Sequence, residues 1–203
     1  VRTRPISTGF FRQPVENVAP ALLGALLISR VDGRLTAGRI VETEAYLGRE
    51  DPASHGYQLR RNARNDALYG AAGSWYVYLS YGVHWCLNLV CGPAGEGGAV
   101  LIRALEPCLG IEVMRRRRNA SKGELQALCS GPGKLSQALG ISLALNGQSM
   151  RDTCVTVGRE TVVRPSQFVR TTRIGITQAA DWPLRFVVAR SPWASRATTL
   201  GRR

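Results

Sequence analysis

Lysine is nearly absent from this 203-residue chain: Lys122 and Lys134 are the only lysines among 27 basic residues, and the rest are arginines. Histidine is as scarce. With His55 and His84 alone, a metal site would have to recruit carboxylates or scattered thiols, and neither a metal nor another cofactor is expected. The five cysteines, Cys86, Cys91, Cys108, Cys129 and Cys154, are odd in number and lack the close C-x-x-C pairing of zinc sites and redox motifs, which fits reduced thiols. No apolar run approaches the length of a membrane span. The opening VRTRPISTGFF has no apolar signal-peptide core, so a cytoplasmic protein is expected, nucleoid-associated if bacterial. No Pro/Ser/Gly-rich linker divides the chain, and residues 1–203 read as one domain.

Acids are also in deficit. Fourteen Asp and Glu against 27 Lys and Arg leave a formal net charge of +13 and a pI near 10.6. Such an excess only adds self-repulsion unless a polyanion offsets it, and nucleic acid is the leading candidate. An anionic membrane surface is the competitor, but no amphipathic basic helix dominates the pattern.

Against this basic background, the segment GRIVETEAYLGREDPASH (38–55) sets two glutamates two positions apart in an apolar, strand-like run. Alternation along an extended chain puts Ile40, Glu42, Glu44 and Tyr46 on one face, with Val41, Thr43 and Ala45 on the other. A buried carboxylate needs a partner or a task. Either both acids are paired with arginines, or one activates water in a pocket beside Tyr46.

PVENVAPALLGALL reads as a helix opened by Pro14 and weakened by Pro20 and Gly24. Asp32-Gly33 marks a hairpin turn that gives the acidic strand an antiparallel neighbour. A long polar stretch from Leu47 to Gly73 holds one short helix near NDALYG, and a loop of that length is usually functional. SWYVYLSYGVHWCLNLVCG forms two strands around Tyr81-Gly82. AVLIRALEP is a further strand ending at Pro107, with Arg103 among apolar neighbours. Two helices follow, one carrying Arg115 to Arg118 and one opened by SGPGKLSQAL. DTCVTV, TRIGIT and LRFVVA complete the strands before an arginine-rich end. Without tandem repeats or a parallel Rossmann pattern, the order implies a mixed, mainly antiparallel α+β domain.

Acids on one strand, aromatics on the hairpin and Arg103 would meet in one site if the sheet pairs as expected. Tyr46, Tyr76, Tyr78 and Tyr81 beside arginines suit stacking on bases, though hairpin aromatics also serve as core. Tyr81 at the turn projects outwards, where an aromatic has little packing reason to be. SGPGKL places backbone N–H groups and Lys134 at a helix start, a suitable seat for a DNA phosphate, without the spacing of a nucleotide-binding P-loop. Arg115 to Arg118 read as a solvated helix face that adds salt-sensitive affinity.

These residues together carry a resemblance. IVETEAYLGREDPASH, YVYLSYGVHWCLN, VLIRALEP, CSGPGKL and the closing PLRF and SPW resemble the alkyladenine (3-methyladenine) DNA glycosylase family, in the family's order from about Leu22 to Trp193. The resemblance implies a curved sheet with surrounding helices and a protruding, DNA-intercalating β-hairpin. It further implies a monomeric, monofunctional base-excision enzyme without cofactor, acting on double-stranded DNA that contains damaged purines such as 3-methyladenine, 7-methylguanine, hypoxanthine and ethenoadenine.

By the same resemblance, Glu44 activates water, with help from Arg103 and the backbone carbonyl of Ile174, and Glu42 is structural. Tyr46, His55 and Tyr78 hold the flipped base. Asn88 opposes the 2-amino group of guanine, and Tyr81 fills the vacated stack. His84-Trp85 and Leu68-Tyr69 depart from the family pattern and bear on substrate breadth. The scarcity of lysine fits water as nucleophile, because a lyase needs an amine for its Schiff base. Two other readings remain open: a carbohydrate glycosidase using Glu42 and Glu44 as its acid and nucleophile, and a non-catalytic nucleic-acid-binding protein.

Overall fold

A computed structural model describes residues 3–120 and 123–195; Lys122 and the arginine-rich end, 196–203, lie outside the described residues. In chain order the strands are β1 (Arg4–Pro5), β2 (Leu26–Ser29), β3 (Thr36–Tyr46), β4 (Trp75–Ser80), β5 (His84–Cys91), β6 (Gly98–Leu109), β7 (Val155–Arg159), β8 (Phe168–Thr171) and β9 (Arg185–Val188). Their order across the sheet is β1-β7-β2-β3-β6-β5-β4, with β8 joined to β9 and β9 to β3. Every described pairing is antiparallel.

The hub is β3, the strand of the two acids. Its first half pairs with β2, its second half with β9, and β6 runs along its other edge from Ala37 to Tyr46. Two neighbours in succession on one edge require the sheet to curl, and it does so strongly, as a half-barrel. Helices α1 (Val15–Ala21), α2 (Ile111–Arg117) and α3 (Pro132–Leu139) complete a mixed α+β architecture. Leu135, Ala138 and Leu139 of α3, Met114 of α2 and Val18 of α1 join the main core with Trp75, Leu87, Leu89 and Ile102.

Strict alternation along β3 fails at one point. Ile40 pairs with Leu105 and Glu42 with Ala104, which leaves Val41 as an extra residue; Thr43 then pairs with Ile102, which leaves Arg103 extra on β6. Two bulges face each other, one per strand. A bulge re-aims side chains, and here Ile40 moves into the core with Ala45, away from the acids it was expected to accompany. The Thr43 hydroxyl on that side donates to Ala19 O of α1 at 2.8 Å. Glu42, Glu44 and Tyr46 stay together, and the bulged Arg103 reaches both acids.

Other boundaries differ from the sequence pattern. The first helix ends at Ala21, because Gly24 has a positive φ and Leu26 already enters β2. Pro107 lies inside β6 rather than ending it, at a register irregularity opposite Gly38, where a residue without an N–H is tolerated. TRIGIT is not a strand: β8 lies just upstream and residues 172–176 form a loop. Asp32-Gly33 does sit between β2 and β3, with positive φ at both residues.

β4 and β5 form the aromatic hairpin. Ser80 pairs with His84, and Tyr81 and Gly82 both have positive φ, with Val83 N–H closing on Ser80 O at 3.1 Å. This is the turn whose backbone twist matches a hairpin. A Cβ on Gly82 would touch nothing, so the backbone angle is what calls for glycine there. At Gly133 the reason is space: a Cβ would stand 2.7 Å from the His84 ring, so the start of α3 is docked against the turn end of the hairpin.

Candidate active site

The bulged pair of strands builds a buried charge cluster. Glu42 and Glu44 have no exposure, and Arg103, at 7 %, lies between them. Its Nε donates to Glu42 Oε1 and its Nη1 to Glu44 Oε2, each at 3.1 Å. Glu42 is further bonded by Arg185 Nη1 at 2.9 Å and by the amide and hydroxyl of Ser195 at 2.6 Å each. Such saturation is what a structural carboxylate requires.

Glu44 is held differently. The Tyr46 hydroxyl donates to Oε2 at 2.9 Å and the Ile174 N–H donates to Oε1 at 2.8 Å. The described contact from Ile174 is thus its N–H; the expectation concerned its carbonyl. Burial pushes the Glu44 carboxyl above the usual carboxylate range, opposed by Arg103, the Ile174 N–H and the Tyr46 hydroxyl. A carboxyl raised in this way is better suited to accept a proton near neutral pH than a solvated one.

Tyr46, Arg103 and Ile174 line a cavity of about 500 Å³, and the unexposed Glu44 is bonded to all three. His55, Tyr76, Tyr78, Asn88 and Tyr81 line it as well. The His55 and Tyr78 rings meet at 4.6 Å and 65°, and the Tyr76 and Tyr78 rings at 5.4 Å and 32°. His55 Nδ1 lies 2.7 Å from the Tyr76 hydroxyl, and burial lowers the pKa of the imidazole, which keeps the ring neutral. Asn88 is tied down by its amide, which donates to Tyr76 O at 3.1 Å and Cys86 O at 3.4 Å.

Above the cavity the hairpin tip is apolar and wet. Tyr81 is 87 % exposed and Val83 70 %. Lys134 is exposed in the first turn of α3, two residues beyond Pro132 of the cavity wall, and does not itself line the cavity. Of the residues singled out by sequence, Tyr46, His55, Tyr78, Tyr81, Asn88, Arg103 and Ile174 therefore share one cavity, and Glu44 is bonded to three of them.

A family model for methylpurine-DNA glycosylases matches residues 9–192 of the chain. The chain belongs to that family. Its relatives include a protein of Methanoculleus marisnigri, 47 % identical over 194 residues that cover 94 % of this chain and 98 % of the relative. One from Rhodopseudomonas palustris strain HaA2 is 47 % identical over 94 % of this chain and 90 % of its own. Another, from Nitrosospira multiformis, is 46 % identical over 89 % and 88 %. Each bears the name of a presumptive 3-methyladenine DNA glycosylase.

A methylpurine-DNA glycosylase is a hydrolase of DNA repair, and damaged DNA is the substrate that the family implies. Membership sets aside the carbohydrate-glycosidase and non-catalytic readings, in keeping with a Glu42 whose oxygens are saturated by donors. Among the described residues, no helix is long and apolar enough to cross a membrane.

Two residues beside the site escaped the sequence reading. Asp51 and Arg173 form a buried ion pair whose guanidinium lies over the Tyr46 ring, 4.7 Å from its centroid. One arginine among so many carries no signal in the sequence, and Asp51, though it stands within the motif that carries the resemblance, is given no role by it.

Proposed function

We propose that this enzyme is a monofunctional glycosylase that releases 3-methyladenine, and alkylated or deaminated purines of the same class (7-methylguanine, hypoxanthine, ethenoadenine), from duplex DNA by hydrolysis with a water activated by Glu44. The observation that carries this reading is the unexposed carboxylate of Glu44, bonded to three residues of an aromatic cavity beneath an exposed apolar hairpin. The names of the relatives supply the first substrate of that class.

A base inside a duplex is out of reach, so the nucleotide must leave the stack. Extrusion costs a few kcal/mol and costs least for damaged or mispaired bases. Tyr81 enters the gap, and Lys134 at the start of α3 takes a backbone phosphate. The extruded base lies against Tyr46 on one side and His55 and Tyr78 on the other. An N3- or N7-alkylated purine is cationic, and an electron-rich pocket favours it by about 0.5–2 kcal/mol. A neutral His55 does not repel it. Asn88, with its amide anchored, occupies the space that the 2-amino group of guanine would need.

Breaking the N-glycosidic bond develops oxocarbenium character on the sugar, which the Glu44 carboxylate stabilises. Oε1 accepts only the Ile174 N–H among the described bonds, which leaves a lone pair for a water proton. Arg103 and the Ile174 carbonyl complete the hold on that water. Its oxygen bonds to the anomeric carbon and its proton passes to Glu44. The bonding pair leaves with the base: an N3- or N7-alkylated, cationic base departs neutral, whereas an uncharged one such as hypoxanthine or ethenoadenine departs as an anion that takes up a proton from solvent. No lysine lines the cavity, so no amine competes with water.

The test is Glu44→Gln. Single-turnover release of methylated purines from alkylated duplex DNA should vanish, while affinity for the same duplex stays within about tenfold, or roughly 1.4 kcal/mol. Normal release by the variant, or an equal loss from a folded Glu42→Gln, would overturn the assignment.

A further inference from the structure

Arg173 is as deeply buried as any side chain of the site, yet it holds no reacting group. Its Nη1 and Nη2 grip both oxygens of Asp51, the second at 2.8 Å, and neither side chain is exposed at all. Nη1 also donates to the carbonyl of Ala45 at 3.1 Å. The guanidinium carbon lies over the Tyr46 ring. Asp51 in turn accepts the N–H of Leu47 at 3.1 Å and of Ala53 at 3.0 Å.

Every one of these contacts falls next to a residue of the site. Ala45 lies between Glu44 and Tyr46. The turn held by Asp51 leads straight to His55. Arg173 itself immediately precedes Ile174, whose N–H is the group on Glu44 Oε1. Three separate segments, the end of β3, the loop after it and the loop after β8, are joined at one fork. Removing two charges from water costs several kcal/mol per ion, so an ion pair at this depth is a poor way to gain stability alone. A bidentate fork offers fixed geometry that a lysine cannot supply.

We infer that Arg173 and Asp51 form a clamp that positions the Ile174 amide against Glu44 and the Tyr46 ring against the flipped base, which makes Arg173 a positioning residue for excision. The inference rests on Glu44 being the general base. The ion pair touches neither substrate nor water; it keeps the parts within the few tenths of an ångström that the reaction tolerates, since a misplacement of about 1 Å can cost about 10²-fold in rate.

The experiment uses the full chain with Arg173→Lys, which keeps the charge and loses the fork. Single-turnover release from alkylated duplex DNA should fall about 10²-fold, with affinity for the abasic duplex product within about threefold, or roughly 0.6 kcal/mol. The acid limb of the rate profile should move to higher pH, because the Ile174 N–H would no longer favour the ionised carboxylate. The other groups facing Glu44 are Glu42 and Tyr46 of β3, Tyr78 of β4, Cys86 of β5 and Arg103 of β6; of these the substitution touches only Tyr46, and a loosened Tyr46 hydroxyl moves the limb in the same direction.

A folded Arg173→Lys protein with wild-type rate and limb overturns the clamp, as does a parallel loss of rate and affinity with the limb unmoved. If Arg173→Lys does not fold, Asp51→Asn carries the same expectations; failure of both to fold assigns the pair to stability and overturns the inference. Glu44→Gln run alongside separates the two ideas. Release by Glu44→Gln sinks the base assignment itself, whereas a dead Glu44→Gln beside a wild-type Arg173→Lys sinks only the clamp.

Discussion

Glu42 and Glu44 are two residues apart, equally buried and share one arginine, yet their surroundings differ. Glu42 has hydrogen-bond donors from Arg103, Arg185 and Ser195, and its charge is fully answered. Glu44 faces a cavity wall, and burial outweighs its partners. In the folded protein its carboxyl is held above 4.5, so folding favours the protonated form. A raised pKa contributes stability that is whole below the unfolded value and lost as pH rises through the folded one. Glu44→Gln cannot ionise. Its unfolding free energy should therefore gain on the wild type as pH rises from the usual carboxylate range through the raised value of the folded protein, measured by urea denaturation at several pH values. A variant that instead loses ground across that interval would show that Arg103 and the Ile174 amide outweigh burial. Arg103 is less replaceable, because its removal strips Glu44 of its cationic partner and leaves Glu42 with Arg185 alone, and breaking a buried pair costs about 3–5 kcal/mol.

The hairpin of β4 and β5 combines two kinds of tyrosine. Tyr76 and Tyr78 turn inward and form part of the cavity, while Tyr81 at the tip has almost nothing to pack against. Tyr81 also adopts a positive φ, a conformation that side chains other than glycine pay for. The hairpin turn accounts for that backbone conformation; the exposure of the ring is what favours a role on DNA. Tyr81→Ala should leave stability within about 0.5 kcal/mol and weaken retention of the extruded nucleotide by roughly 1–3 kcal/mol. Unfolding by heat or urea reads the first, and fluorescence of a base analogue beside the lesion reads the second. Severe destabilisation with unchanged extrusion would make Tyr81 an ordinary packing residue and the hairpin no wedge.

The whole molecule carries its +13 charge almost entirely on arginine. Several of these arginines are spent internally: Arg103, Arg173 and Arg185 on buried acids, and Arg39 on Glu106 and Glu160. Affinity for undamaged duplex should come from the others, through release of counterions from phosphates. Log affinity against log salt should then fall steeply, by about 0.9 per phosphate neutralised. A titration of fluorescent undamaged duplex at several salt concentrations measures the slope, and a flat line would mean that the charge serves another partner. The internally paired arginines should not contribute to that slope.

How far the chain could be read in advance follows from the range of each signal. Nearest-neighbour patterns were enough for the Asp32-Gly33 turn, the Tyr81-Gly82 hairpin and the helix opened at Pro132, because each depends on the backbone preferences of a few adjacent residues. Motif resemblance reached further and named most of the cavity wall. The paired bulges at Val41 and Arg103 were out of reach, since a register shift exists only between two strands, and period-two alternation sent Ile40 to the wrong face. The TRIGIT segment alternates like a strand but forms a loop, and the contact it makes is with Asp51, more than a hundred residues away, which no local pattern reports. The difference in surroundings between Glu42 and Glu44 was equally hidden to residue patterns. It arises from burial and from donors on β6, β9 and two distant loops, and a carboxylate acquires those only when the sheet has curled around it.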